Sequence, residues 1–134
     1  MGNAIFHRGP DCGDEFLNDH VGLCHRRLSI IDLSEAGRQP MHSTCGQVTI
    51  VFNGEIYNFL ELREPLVEDG YEFSSHTDTE VLIALYLKHG PNFLELINGM
   101  FALAIWDNRS EQLMLARDPV SYTHLTLPTT PVVV

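Results

Sequence analysis

At 134 residues, the chain has room for one domain with a real core and little more. Its 44% hydrophobic and 19% charged residues describe a globular chain and exclude a disordered one. A net charge of −10 repels phosphate backbones and anionic lipid, so no nucleic-acid partner and no membrane surface are expected.

No segment reaches the ~20 apolar residues of a membrane span, and no basic stretch followed by an apolar one marks a signal peptide. A soluble cytoplasmic protein is the expectation. Cys12, Cys24 and Cys45 are odd in number and irregularly spaced, which argues against a disulfide framework. Cys24-His25 and His42-x-x-Cys45 pair metal-capable side chains, but no Cys-x-x-Cys or His-x-x-x-His spacing supports them, so no metal site is expected.

In chain order, "RGPDCGD" is loop chemistry. "EFLNDHVGLCHRRLSII" reads as two short strands around Asn18-Asp19, and "LSEAGRQPMHSTCGQ" as a long polar loop. "VTIVF" (Val48 to Phe52) is a buried strand ending in Asn53-Gly54, a pair that favours a hairpin turn because both residues tolerate positive φ. A helix follows, with Asn58 and Glu61 at capping-box spacing and Gly70 at its C-terminal end. Pro65 lies inside it and predicts a kink or early break. "YEFS" reads as a short strand. Thr77 and Glu80 cap a second helix whose apolar face is Val81, Leu82, Leu85 and Tyr86, stopped by Gly90-Pro91. "NFLELI" is a short helical turn, and "MFALAIWD" and "QLMLARD" form a hairpin around "NRSE". This order predicts an α+β sheet with helices on one side.

Four groups carry chemistry as well as structure. "HRGPD" gathers titratable groups at a turn. In "HRRLSIID", Arg26 and Arg27 face opposite sides of a strand, so one points inward and needs an anion, from the protein or from a ligand. "NGE" offers an amide side chain and a glycine N–H at a strand end, the donors of an oxyanion hole, or else a plain turn. Asp78 sits in the first turn of a helix, where the dipole alone would favour it.

Together, "HRGPD", "HRRLSIIDLSEAGRQPM", "VFNGEIYNF", "HTDTEVLIALY", "NGMFALAIWD" and "LARD" resemble the class II glutamine amidotransferase domain, specifically the N-terminal glutaminase domain of glutamine-hydrolysing asparagine synthetases. The resemblance spans residues 1–118 as a partial domain, with 119–134 as a tail foreign to the family. It implies a four-layer α-β-β-α sandwich of the N-terminal-nucleophile hydrolase type, incomplete here. It implies an enzyme by family that hydrolyses L-glutamine and passes ammonia to an ATP-using synthetase domain, which makes asparagine through an aspartyl-adenylate. By resemblance, Asn53 and Gly54 hold the oxyanion. Arg27 clamps the α-carboxylate, with Leu28, Ser29, Ile30 and Ile31 lining the pocket. Glu55 and Asp78 hold the α-ammonium. No cofactor is implied for this part; ATP and magnesium belong to the synthetase domain.

The pattern also departs from the family. The family begins Met-Cys-Gly-Ile well upstream of its "HRGPD", and its N-terminal cysteine is the nucleophile. Here "HRGPD" starts at His7 and Gly2 follows Met1, so that cysteine is absent; Cys12, an internal thiol, lacks the free α-amine. "PVSYTHLTLPTTPVVV" resembles translated sequencing adapter. The expectation is therefore a truncated, inactive fragment. A non-catalytic remnant of the glutamine pocket, and an amidotransferase subunit of another pathway such as exopolysaccharide assembly, are the alternatives.

Overall fold

The structure, a computed structural model, describes residues 12–27, 38–119 and 132–133. Of Cys12, Gly13, Arg26, Arg27, Val132 and Val133 it describes the backbone alone. "MGNAIF", "HRGPD", residues 28–37 and most of the tail lie outside the described residues.

The chain opens with an antiparallel hairpin of β1 (Cys12–Leu17) and β2 (Gly22–Arg27). Asn18 makes the turn: its Oδ1 accepts from the N–H groups of His20 and Val21, both at 2.8 Å. The strand thus begins at Cys12, inside what the sequence marks as loop.

A second, five-stranded antiparallel sheet runs in the order β3 (Met41–His42), β4 (Val48–Ile56), β5 (Gly99–Asp107), β6 (Gln112–Arg117) and β7 (Val132–Val133). One face is apolar at every second residue, as a half-buried strand requires. Val48, Ile50, Phe52, Leu103 and Ile105 are buried there against Val81, Leu82 and Leu85 of α2 (Asp78–His89). α1 (Phe59–Glu68) packs beside α2, with Leu66 as its buried anchor. On the opposite face, His20 stacks on Trp106 at 6.2 Å and Phe16 meets His42 edge-on at 5.4 Å. The order of layers is helices, sheet, hairpin: three of the expected four, among the described residues.

α2 follows its sequence signals. Thr77 caps it, accepting from the Glu80 N–H at 3.4 Å, and Lys88 and His89 fill its last turn. Glu80 does not return to Thr77 as a capping box would. Its carboxylate instead accepts from the N–H groups of Ser74 and Ser75 and from both hydroxyls. That removes "YEFS" from any sheet. Tyr71 is lost as well, because its N–H closes the end of α1 on the Leu66 carbonyl while Gly70, at φ +96°, bonds to Val67.

Three further expectations change. α1 runs through Pro65 to Glu68 without a break, held by the burial of Leu66. Asn58 does not cap α1: its Nδ2 donates to the Leu96 carbonyl and its Oδ1 accepts from the Asn98 N–H, both at 2.9 Å. β4 does not turn at Asn53-Gly54 but continues to Ile56, paired with β5 as far as Gly99.

Candidate functional site

The far half of β4 is built around glycines. Gly54 has φ +141°, and a Cβ there would lie 2.1 Å from the Met100 carbonyl oxygen. A Cβ on Gly99 would lie 2.0 Å from the Glu55 carbonyl oxygen. Only glycine lets β4 and β5 approach this closely.

Where their backbone groups point follows from the register. In an antiparallel pair, facing residues alternate between exchanging both bonds and exchanging none. Gly54 faces Phe101. Phe101 turns both backbone groups away from β4: its N–H donates to Asp118 Oδ2 at 2.8 Å, and its carbonyl accepts from the Asp118 N–H at 3.0 Å. On the other strand, Phe52 donates its N–H away from β5 to Gln39 Oε1 at 2.6 Å, and Ile56 donates to Asp78 Oδ2 at 3.0 Å. The Gly54 N–H therefore lies on the same free edge, between those two, with no ladder acceptor among the described residues.

Asn53 precedes it. Its side chain is exposed and its carboxamide makes no hydrogen bond among the described residues. A carboxamide donor and a backbone N–H stand next to each other at an exposed strand end, a geometry suited to an oxygen that gains negative charge.

Asp78 is the first residue of α2 and reaches across to β4. Burial pushes its carboxyl above the usual range, against the pull of the N–H groups of Ile56, Asp78 and Thr79, and the charge of Glu55 pushes it further up. Glu55 itself is exposed, opposite Met100. These carboxylates repel each other, and no cation pairs with either among the described residues.

Arg27 closes β2 opposite Cys12, and β2 packs against β4. The Arg27 side chain and all of Leu28, Ser29, Ile30 and Ile31 lie outside the described residues. Asn53, Gly54, Glu55 and Asp78 are brought together at one strand end. Cys24 faces Glu15 within the hairpin. Cys45 precedes β4, at the opposite end of that strand from Asn53. Among the described residues no group of three or more His, Cys, Asp or Glu could hold a metal ion. A cleft of about 310 Å3 beside β3, lined by Arg38, His42, Tyr71 and Glu80 among others, includes none of the four site residues.

Sequence reasoning missed two buried polar residues that shape this end: Gln39, 8% exposed, and Asp118, 1% exposed. Neither sits in a local pattern that marks it as buried.

A profile of the family described as a glutamine amidotransferase domain matches residues 1–129. Over 119 residues the chain is 47% identical to asparagine synthetase [glutamine-hydrolyzing] 1 of Bacillus subtilis, covering 89% of this chain and 19% of that protein. It is 41% identical over 118 residues to asparagine synthetase B [glutamine-hydrolyzing] of Escherichia coli, covering 88% and 21%. Over another 118 residues it is 43% identical to amidase chry2 of Gibberella zeae, covering 87% and 17%. The chain thus spans 17% to 21% of the length of these relatives. Among solved structures it resembles glutamine phosphoribosylpyrophosphate amidotransferase of B. subtilis, with a TM-score of 0.60 and 24% identity over 73% of this chain and 23% of that one. That likeness concerns the fold, which is α+β and part of the N-terminal-nucleophile hydrolase architecture.

Proposed function

The chain belongs to the glutamine amidotransferase family, and we propose that its β4 end binds L-glutamine as the glutaminase part of an asparagine synthetase. The observation that carries this reading is the pairing of opposite features within one short edge. The Gly54 N–H and the Asn53 carboxamide, both without a partner among the described residues, offer donors, while Asp78 and Glu55 offer negative charge that no cation meets among the described residues.

A free amino acid presents matching groups. In this reading the donors take the side-chain amide oxygen, and the carboxylates take the α-ammonium. Arg27 takes the α-carboxylate, and residues 28–31 line the pocket. When a thiolate adds to the amide carbon, the carbonyl oxygen becomes negative and the donors hold it there. The C–N bond then breaks with a proton delivered to nitrogen, ammonia leaves, and water hydrolyses the thioester to glutamate. Cys45 lies at the opposite end of β4 from the donors, and Cys12, an internal thiol, lacks the free α-amine, so this chain by itself is expected to bind glutamine without turning it over. ATP and magnesium act in the synthetase part of the longer protein, and no residue here is assigned to them. A cytoplasmic location accords with that role.

Calorimetric titration with L-glutamine tests the reading, with L-glutamate as the control. Binding by the chain, lost in Asp78→Ala, is expected. No binding, or equal binding by Asp78→Ala, overturns it. Glutamate release that Cys12→Ala abolishes overturns the expected inactivity.

A further inference from the structure

Gln39 is a buried carboxamide that the reading above leaves unused. It lies outside the elements that carry the site, just before β3, yet both ends of its side chain reach them. Its Oε1 accepts from the Phe52 N–H at 2.6 Å, two residues before Gly54 on β4. Its Nε2 donates to Thr79 Oγ1 at 3.3 Å, the residue after Asp78 on α2. The donors stand on β4 and the Asp78 carboxylate on α2, and this one side chain spans the two elements from behind. The Ile56–Asp78 bond is the second tie, and it uses a site residue itself.

The edge of β4 has the same logic. Three N–H groups leave it in succession, from Phe52, Gly54 and Ile56. Gln39 closes the first and Asp78 the last, and the middle one stays open among the described residues.

We propose that Gln39 is a positioning residue of the glutamine site. It fixes the spacing between the Gly54 N–H and the Asp78 carboxylate, so that one ligand meets both. This rests on the glutamine reading above. The tie has two halves that can be cut separately. Thr79→Val is nearly isosteric, removes only the α2 half, and leaves the bond to Phe52. Gln39→Leu removes both halves and also strands a buried N–H, so its effect on stability is larger.

The test uses the 15N-labelled chain, reading L-glutamine affinity and the Gly54 amide resonance together. Thr79→Val is expected to shift the Gly54 amide and to weaken glutamine by about tenfold, as a sub-ångström misplacement does. Gln39→Leu does the same, and the double variant binds no more weakly than Gln39→Leu, because both changes cut one tie. A Thr79→Val chain with the wild-type Gly54 resonance and wild-type affinity overturns the proposal. A wild-type chain that binds no glutamine, while Thr79→Val still moves Gly54, overturns the ligand and leaves the tie; failure of the tie and failure of the ligand are thereby told apart.

Discussion

Asp118 holds both backbone groups of Phe101, accepting its N–H at 2.8 Å and donating to its carbonyl at 3.0 Å. Phe101 in turn lies across from Gly54. A residue just past the end of β6 thereby continues the sheet one rung further and backs the strand that carries the donors. Asp118→Ala strips a charge-assisted bond and leaves the Phe101 N–H unmet, and is expected to cost roughly 2–3 kcal/mol. Asp118→Asn keeps an acceptor and costs about 1 kcal/mol. Urea unfolding of the two variants checks the order; equal losses would show that the bond to Phe101 is not the source.

Gly54 and Gly46 separate crowding from backbone strain. Both have positive φ, +141° and +75°, but a Cβ meets nothing within 4 Å at Gly46 and the Met100 carbonyl at 2.1 Å at Gly54. Gly46→Ala is expected to cost about 1 kcal/mol from backbone strain alone. Gly54→Ala must move β5 as well, so it costs more than 3 kcal/mol and abolishes glutamine binding. Thermal melts with a parallel titration measure both.

Two aspartates give acid pH opposite effects. Asp107 is held below its usual range first by the Arg109 guanidinium, which bonds it at 2.8 and 3.0 Å, and Tyr86 adds a bond at 2.9 Å. Its contribution to stability is present above the ordinary value of 3.8 and is lost as pH falls through its lowered folded value. Asp78 is raised, so its contribution has the other sign: full below 3.8, lost as pH rises through its raised folded value. At neutral pH ionised Asp78 therefore weighs on the fold. Asp78→Asn is expected to raise stability at pH 7 while weakening glutamine. In the parent chain, glutamine affinity falls on acidification already above pH 3.8, where Asp78 takes up its proton. Titrations from pH 7 to pH 4 follow this limb, and a flat profile would remove Asp78 from the ammonium.

Pro65 leaves the Glu61 carbonyl in α1 without its helical partner. The helix persists because Leu66 is buried and Gly70 closes its end. Pro65→Ala restores that bond and is expected to stabilise the chain by about 1–2 kcal/mol, read as a higher Tm. A lower Tm would mean that Pro65 packs in place of the bond it lacks.

What the sequence made legible is what depends on neighbours. α2 is signed by Thr77 at its start, four apolar residues at helical spacing, and Gly90 at its end. The β5–β6 hairpin is signed by "NRSE". The illegible parts depend on partners far along the chain. β4 passes through Asn53-Gly54 because Gly99 waits opposite Ile56, and no local rule supplies that. Asn58 has the right spacing to cap α1, but Leu96 and Asn98 offer its carboxamide two bonds instead. Asn53, Gly54, Glu55 and Asp78 were named by motif; that Asp78 reaches the Ile56 N–H was not, since the contact joins two elements.

The plugged edge of β4 has a consequence beyond ligand binding. Among the described residues only β3 pairs along this edge, at Thr49 and Ile50, and an unpaired strand margin is of the kind that recruits a stranger's strand and seeds aggregation. Gln39 and Asp78 take the Phe52 and Ile56 N–H groups with side chains, so an incoming strand finds both of those rungs occupied. Among the described residues the opening left at Gly54 is one rung wide, so side chains that position a ligand in the proposed site also blunt the edge against strand addition.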